Sequence, residues 1–287
     1  MKLSKLFMKI SKEMGNNHFF GIPGSGVPLD LMDGGKDIDL KFINVAHEST
    51  AAIAAGTYGL IKNSAGLCLG VKGVGAGNLA GGVANAYFER MPVVCVCETT
   101  PDYSYDNEMV QHADHQGLMK SVTKSMITLT KDNPAQAIVD SYKKSMEGLK
   151  GPVLIDFPSN MGLEEVDSEY KIEQLHADEI ESYGNIESLS KIIDNSKRPM
   201  LIVGDGVRKD ESISEIIKLS EKIGAGVLST MNARGVYPES HNRWVGVSTA
   251  FDKRETTRPG LLTKDSDLII LVGADQMMTH VPWPEGE

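Results

Sequence analysis

The sequence predicts an α/β protein with a doubly wound, mainly parallel six-stranded sheet, followed by a second, smaller α/β domain. Short apolar runs alternate with segments of helical periodicity, which is the order expected of parallel strands joined by crossover helices. The run 91–98, MPVVCVCE, is apolar up to its last residue, as expected of a strand covered on both faces. Glycine-rich turns follow several of these runs, at the sheet edge where open α/β sheets bind ligands.

The composition is that of an ordinary globular protein, with 287 residues, 41% hydrophobic and 24% charged. The net charge of −10 argues against nucleic acid or an anionic membrane as a partner. Cys68, Cys95 and Cys97 lie in apolar runs, which favours core packing in a reducing compartment over a disulfide or metal site. The first residues do not resemble a signal peptide and no apolar run could span a membrane, so we expect a cytoplasmic protein.

The first domain is predicted to comprise residues 1–160. Apolar residues at helical spacing between Leu3 and Ile10 predict a short amphipathic helix at its start. Apolar and β-branched runs then predict six strands, at 18–23, 41–45, 65–71, 91–98, 125–129 and 152–157. Helices are predicted between them, at 27–32, after Glu48, from the turn 72–78 to Glu89, and at 111–122 and 134–149. The first of these is expected to end at Gly34-Gly35.

Residues 161–183 are acidic and poor in apolar side chains, which predicts a surface linker. The second domain, 184–287, is predicted to be α/β as well. Its apolar runs predict strands at 199–203, 226–229 and 267–272, with a helix at 211–223. Because open sheets of this kind usually have about five or six strands, we expect this domain to be small or incomplete.

Glu48 lies at the corner between the strand 41–45 and an alanine-rich helix. The small side chains that follow leave room for a bound molecule beside the carboxylate. An acid in a first helical turn is also favoured by the helix dipole, so a purely structural role is an equal alternative from this stretch. The glycine turn KGVGAGN, 72–78, lacks the spacing of a dinucleotide fingerprint or a phosphate loop, and by itself it indicates only a tight turn.

Taken together, these segments resemble the pyrimidine-binding domain of thiamin-diphosphate enzymes of the acetolactate synthase, pyruvate decarboxylase and benzoylformate decarboxylase group. The matching stretches follow the family's order and are FGIPGSGVPLD at 20–30, HESTAAIAAGTYGL at 47–60, VGAGNLAGGVANAYFERMPVVCV at 74–96, QHADHQGLMKSVTKS at 111–125 and GPVLIDFP at 151–158. The second domain is similar to the family's central domain in RPMLIVGDGVR at 198–208 and MNARGVYPESHNRWVGV at 231–247.

The resemblance gives Glu48 a task, since a glutamate at this position hydrogen-bonds the aminopyrimidine ring of the cofactor and activates it. It also implies cofactor contacts for residues in the two glycine-containing turns, namely Pro23, Gly24, Gly73, Gly75 and Asn78. Gln111 matches a glutamine of the family, and His112 beside it is a second candidate catalytic residue, although a loop histidine without a role is an equal alternative.

The turn departs from the acetolactate synthase pattern, which has serine before the first glycine and proline after it, where this chain has Lys72 and Val74. This departure leaves the substrate class open. We expect Lys72 to be an exposed lysine, the alternative being a cation that receives a substrate carboxylate.

The resemblance also bears on metal and flavin. Gly204-Asp205-Gly206 followed by Asn232 imitates the family's magnesium and diphosphate motif, but its flanks match the central domain. We therefore expect no metal ligands in this chain, and magnesium held by a partner chain or by a missing diphosphate-binding domain. The segment 274–280, ADQMMTH, lacks the arginine- and aspartate-rich loop of the flavin-carrying branch, so no FAD is expected.

The resemblance thus implies a subunit, or the N-terminal part, of a 2-oxo acid decarboxylase or carboligase, a lyase or transferase similar to acetolactate synthase. It would be active with a diphosphate-binding-domain subunit, in a homo- or hetero-oligomer. A non-catalytic regulatory or scaffold homologue that kept the fold is the alternative. A nucleotide-binding α/β protein is disfavoured by the missing phosphate fingerprints.

Overall fold

The computed structural model describes residues 1–103, 110–172, 184–208, 210–248 and 256–274. The chain divides into two compact units, Met1–Ile180 and Glu181–Glu287. The first contains a six-stranded sheet and the second a four-stranded sheet, both parallel throughout. The predicted fold class is therefore confirmed. Among the described residues, no helix has the length and apolar character needed to cross a membrane.

The sheet of the first unit has its strands in the order β2-β1-β3-β4-β6-β5. These strands are β1 His18–Gly21, β2 Lys41–Asn44, β3 Gly66–Gly70, β4 Val93–Thr99, β5 Ser125–Thr128 and β6 Pro152–Pro158. The chain leaves β1 toward β2 on one side and returns to β3 on the other. The connections after β1 and β3 therefore diverge, and a crevice is expected beyond the carboxyl ends of these two strands.

Helices cover both faces of this sheet. They are α1 Leu3–Glu13, α2 Val27–Lys36, α3 Glu48–Lys62, α4 Val74–Phe88, α5 His115–Met119 and α6 Pro134–Met146. Apolar residues of α1, α2 and α6 form one core cluster, and those of α3, α4 and α5 form the other. The strands contribute alternate residues to the two clusters, which explains their uniformly apolar sequences.

The three cysteines are free and buried, as predicted for core residues. Cys68 and Cys95 face each other on neighbouring strands with their Sγ atoms 3.5 Å apart. Burial raises the pKa of the Cys97 thiol, and the nearby Cys95 adds to this. The three side chains therefore serve as small groups of the apolar core.

The prediction that Gly34-Gly35 ends the second helix is wrong, because α2 continues to Lys36. A Cβ atom at Gly34 would lie 3.0 Å from the backbone oxygen of Ser4, and one at Gly35 would lie 3.0 Å from that of Leu40. Both glycines are therefore there for close packing of α2 against its neighbours, and this requirement outweighs their low helix propensity.

The helix predicted at 111–122 is shorter in the structure and comprises only His115–Met119. Asp114 caps it by accepting a hydrogen bond from the backbone N–H of Gly117 at 2.8 Å. Gln111 has a left-handed backbone with φ of 61°, which excludes it from the helix. Residues 110–113 therefore form a loop before this helix.

The described part of the expected linker, residues 161–172, lies against the first unit. The N–H of Leu3 donates to the carbonyl of Glu164 at 2.9 Å, and the N–H of Val166 donates to that of Met1 at 3.0 Å. The Tyr170 hydroxyl donates to Glu13 at 2.7 Å. This segment thus closes the first unit by pairing with the start of the chain.

The second unit has its strands in the order β10-β7-β8-β9. Its strands are β7 Pro199–Val203, β8 Gly226–Thr230, β9 Trp244–Ser248 and β10 Leu268–Val272. Its helices are α7 Ile186–Asn195, α8 Asp210–Ile223 and α9 Arg258–Asp265. Strand β9 was not predicted, because Gly246 interrupts its apolar pattern. In the structure, its pairing with β8 is irregular between Val227 and Leu228.

Candidate active site

The turns that follow β1 and β3 meet beyond the carboxyl ends of these strands. A Cβ atom at Gly24 would lie only 2.1 Å from Cγ1 of Val71, so only glycine allows this approach. Pro23 and Gly24 are both exposed. The contact brings the predicted Pro23-Gly24 turn beside the glycine turn at the expected crevice.

Glu48 is the first residue of α3 and is only 6% exposed. His47 caps the helix, its Nδ1 accepting a hydrogen bond from the N–H of Ser49 at 3.2 Å. The Oε2 atom of Glu48 accepts a hydrogen bond from Nδ2 of Asn78 at 3.0 Å. Two predicted site residues from separate segments are therefore in direct contact.

Close packing of α3 against α4 brings Asn78 to Glu48. The Ser49 hydroxyl donates to the backbone oxygen of Asn78. A Cβ atom at Gly82 would lie 2.3 Å from the backbone oxygen of Ser49, so only glycine permits this distance between the helices. The small residues of α3 and α4 therefore serve helix packing and also set the position of the carboxylate.

The glycine turn requires glycine at Gly73, whose φ is 64° and ψ −93°. A Cβ atom there would also lie 2.4 Å from the backbone oxygen of Gln111. Gly75 is buried against Val71. Gln111 is therefore brought to the turn through its backbone, while its side chain and that of His112 are exposed.

The sequence analysis missed a buried pair, His115 and Asp156, which are 2% and 5% exposed. Nε2 of His115 accepts a hydrogen bond from the N–H of Gly73 at 3.0 Å, and Nδ1 lies 2.8 Å from Oδ1 of Asp156. Because a backbone N–H can only donate, Nε2 carries no proton and Nδ1 donates to Asp156. Gln116 also donates to Asp156, at 3.3 Å. The sequence did contain one indication of this pair, namely that Asp156 is an acid within the apolar run PVLIDF.

A second missed residue is Glu98, whose side chain is 3% exposed at the end of β4. Its Oε1 accepts from Nζ of Lys72 at 3.0 Å, and its Oε2 accepts from the N–H of Val27 at 3.2 Å, at the start of α2. Lys72 is only 20% exposed, so our expectation of an exposed lysine is wrong. Burial, and secondarily the Glu98 carboxylate, raises the pKa of Asp30 in the first turn of α2.

Asp205 and Asn232 of the second unit are joined by an arginine. The Nε atom of Arg208 donates to Asp205, and its Nη2 donates to the backbone oxygen of Asn232 at 2.6 Å. The Asp205 carboxylate is therefore paired with a cationic side chain of the same unit. In the described ranges, no group of three or more His, Cys, Asp or Glu residues could hold a metal ion. The prediction of no FAD depends on 274–280, of which only Ala274 is described.

Comparison with known proteins identifies two family domains. Residues 1–119 match the family described as thiamine pyrophosphate enzyme, N-terminal TPP binding domain, and residues 186–286 match the central domain of the same enzymes. The chain is 29% identical over 284 residues to a probable acetolactate synthase large subunit of Methanocaldococcus jannaschii, covering 95% of this chain and 47% of the relative. It is 30% identical over 284 residues to the acetolactate synthase large subunit of Corynebacterium glutamicum, covering 94% and 44%.

A solved structure shares the fold. It is the thiamine diphosphate-dependent 4-hydroxybenzoylformate decarboxylase of Rhodococcus jostii RHA1, with a TM-score of 0.79 and 22% identity, covering 98% of this chain and 55% of that one. The chain thus spans about half the length of the relatives that it matches.

Proposed function

The chain belongs to the thiamine pyrophosphate enzyme family, and from this premise we propose that it supplies the pyrimidine-binding side of an acetolactate synthase-like 2-oxo acid decarboxylase or carboligase. The observation that carries the proposal is the buried Glu48 carboxylate, oriented by Asn78 at 3.0 Å beside the glycine turn. The matches to acetolactate synthase large subunits support it.

The residues at the crevice fit an aminopyrimidine ring. A carboxylate at the start of α3 is available to a ring nitrogen, with the apolar Ala51 and Ala52 buried next to it in the same helix. Pro23 and Gly24 present an exposed turn beside Val71, and the position of a Cβ atom at Gly77, next to Asn78, has no protein atom within 4 Å. These features offer a flat ring a polar anchor at Glu48 and an exposed turn at the crevice.

Thiamin diphosphate, when bound, supplies a carbon nucleophile that adds to 2-oxo acids and an electron sink that takes up the bonding electron pair left behind when carbon dioxide departs. Glu48 would share a proton with the ring nitrogen, and Asn78 would hold the carboxylate in the orientation that this needs. Gly73 and Gly75 keep side chains out of the turn. Gln111 and His112, exposed on the loop against Gly73, would contact the 2-oxo acid.

The diphosphate and its magnesium would be held by another domain, on the same polypeptide or on a partner subunit. Exposed apolar residues of α3 and α4 support such an assembly, with Ile53 40%, Val74 60% and Phe88 47% exposed. These exposed apolar side chains of α3 and α4 would be covered by the diphosphate domain, in a homo- or hetero-oligomer.

The substitution Glu48→Gln tests the proposal, measured as proton–deuterium exchange at the thiazolium carbon in the protein assembled with its diphosphate domain. We expect exchange to slow by about a hundred- to ten-thousandfold, the usual contribution of an acid–base group. The control is Glu187→Gln, which removes an acid from the first turn of α7 in the second unit. If Glu48 served only the helix dipole, both variants would lose about 0.3–1 kcal/mol of stability and exchange would stay unchanged. That result would remove Glu48 from the mechanism, whereas wild-type exchange no faster than that of the free cofactor would favour a regulatory or scaffold homologue.

A further inference from the structure

The peptide groups on both sides of Gly73 make hydrogen bonds, each to a different part of the chain. Its carbonyl oxygen accepts the hydrogen bond that begins α4, from the N–H of Gly77 at 2.8 Å. Its N–H donates to Nε2 of His115, which comes from a different segment of the chain. The conformation of the turn is therefore determined jointly by α4 and by a side chain of α5.

His115 has its own support. Asp156, on β6, accepts from Nδ1 at 2.8 Å and so determines which ring nitrogen carries the proton and how the ring is oriented. Gln116 donates to the second oxygen of Asp156 at 3.3 Å and to the hydroxyl of Thr128 at 2.9 Å. A buried carboxylate thus fixes a neutral imidazole whose free lone pair points at the glycine turn.

From this geometry we propose that His115, oriented by Asp156, is a positioning residue that fixes the glycine turn and thereby the approach of Asn78 to Glu48. Asn78 lies five residues, or about 1.4 helical turns, beyond Gly73. A change in the Gly73 peptide therefore shifts the start of α4 and the amide that orients the carboxylate. His115 touches none of the reacting groups itself. Its effect on cofactor activation rests on the function proposed above, whereas its effect on the turn does not.

Two substitutions at His115 test its hydrogen bond to Gly73 and its hydrogen bond to Asp156 separately. In His115→Gln, the side-chain oxygen reaches the position of Nε2 and can accept from Gly73, but Oδ1 of Asp156 loses its donor while Oδ2 keeps that of Gln116. In His115→Asn, the side-chain amide replaces Nδ1 and can donate to Asp156, but nothing accepts from Gly73. A residue needed only to satisfy the buried carboxylate would be replaced better by asparagine. A residue that acts through Gly73 would be replaced better by glutamine.

The first readout is hydrogen exchange of the Gly73 amide by NMR on the whole protein. We expect exchange to be about tenfold faster in His115→Asn, equivalent to about 1.4 kcal/mol, and within about threefold of wild type in His115→Gln. Thermal stability should rank the other way, with His115→Asn the more stable variant. The ring nitrogen shifts of His115 in wild type should show the neutral form protonated at Nδ1.

The second readout is proton–deuterium exchange at the thiazolium carbon in the assembled protein, where His115→Asn should be at least about tenfold slower than His115→Gln. The control is His241 of the second unit, which also accepts a backbone N–H, that of Arg243, at 3.2 Å. Its Asn and Gln variants should leave Gly73 unchanged. Equal amide exchange in the two His115 variants, or faster exchange in His115→Gln, would overturn the proposal. If wild type fails to activate the cofactor while the amide results hold, the proposed function fails and the positioning role stands.

Discussion

The ion pair of Lys72 and Glu98 ties three segments together at the level of single residues. Glu98 is 3% exposed and bonds both Lys72 on the glycine turn and the N–H of Val27 at the start of α2. A Cβ atom at Gly26 would lie 2.6 Å from Oε2 of Glu98, so the β1 turn is shaped around this carboxylate. The pair therefore links the two turns that border the crevice.

Removing the cation should leave a buried charge without its partner. We predict that Lys72→Met lowers the free energy of unfolding of the first unit by about 3 kcal/mol. Adding Glu98→Gln should restore most of this, because the neutral amide oxygen can still accept from Val27. Hydrogen-exchange mass spectrometry of β4 peptides measures both variants.

The same two variants decide between the roles of Lys72. If the lysine also binds an anionic group of the substrate, the KM for an acidic 2-oxo acid stays raised in the double variant. If pairing with Glu98 is the whole role of Lys72, both KM and stability return toward their wild-type values in the double variant. A double variant as unstable as Lys72→Met would contradict the pairing account.

The sequence predicted part of this site. Glu48 and Asn78 were identified from separate stretches, and the structure brings them together. His115, Asp156 and Glu98 were missed because each acts through contacts between segments distant in sequence. Two of them are acids in otherwise apolar strand runs, at Glu98 in MPVVCVCE and Asp156 in PVLIDF. Since burying an unpaired charge is costly, such acids indicate a nearby partner, although the sequence does not say which one.

At the level of elements, the position of α3 relative to α4 depends on which glycines face the partner helix. Gly77 and Gly82 both lie within α4. A Cβ atom at Gly82 would lie 2.3 Å from the backbone oxygen of Ser49, whereas one at Gly77 would have nothing within 4 Å. The two glycines are alike in helix propensity and differ in packing.

This difference predicts opposite effects of the same substitution. Gly82→Ala should separate the helices beside Ser49 and lower stability by about 1–3 kcal/mol. Gly77→Ala should stabilise the chain by about 0.5–1 kcal/mol, since alanine loses less backbone entropy in a helix. Thermal unfolding of the two variants measures both effects. A loss of stability in Gly77→Ala equal to that in Gly82→Ala would show that contact between the helices is not the cause.

Elements were predicted well where composition and packing agree. The buried strands β3, β4 and β6 follow their apolar runs. Prediction failed where a glycine has a packing role that resembles a helix end, as at Gly34-Gly35, or where it interrupts a strand, as at Gly246. The local pattern cannot distinguish these cases, because the neighbouring atom belongs to a distant part of the chain.

At the level of the whole molecule, each unit has its own sheet and its own core clusters. The first unit is closed by its last described segment, where Lys2 pairs with Glu165 in an antiparallel bridge and the N–H of Val166 donates to Met1. The boundary of an independently folding fragment should therefore lie beyond these contacts.

We predict that a fragment of residues 1–172 folds by itself and unfolds cooperatively on heating, followed by circular dichroism. A fragment of residues 1–160 should melt lower, by about 2–4 °C for each kcal/mol of lost pairing. Tyr170→Phe in the longer fragment is the control, since it removes only the hydrogen bond to Glu13. Equal melting of the two fragments would show that the closing segment contributes nothing to the stability of the first unit.

The pairing of Met1 with Val166 also sets an order of events during synthesis. Helix α1 is made before the other elements of this unit, but its first residues cannot be paired until Val166 has left the ribosome. At ordinary rates of translation this takes about ten to thirty seconds. For that time the apolar residues Leu3 and Phe7, both fully buried in the folded protein, have no complete core to enter. The nascent chain therefore exposes an amphipathic segment that chaperones can bind until the unit closes and buries it. Slowed translation or a weakened closing segment would prolong this exposure, so aggregation would begin at α1.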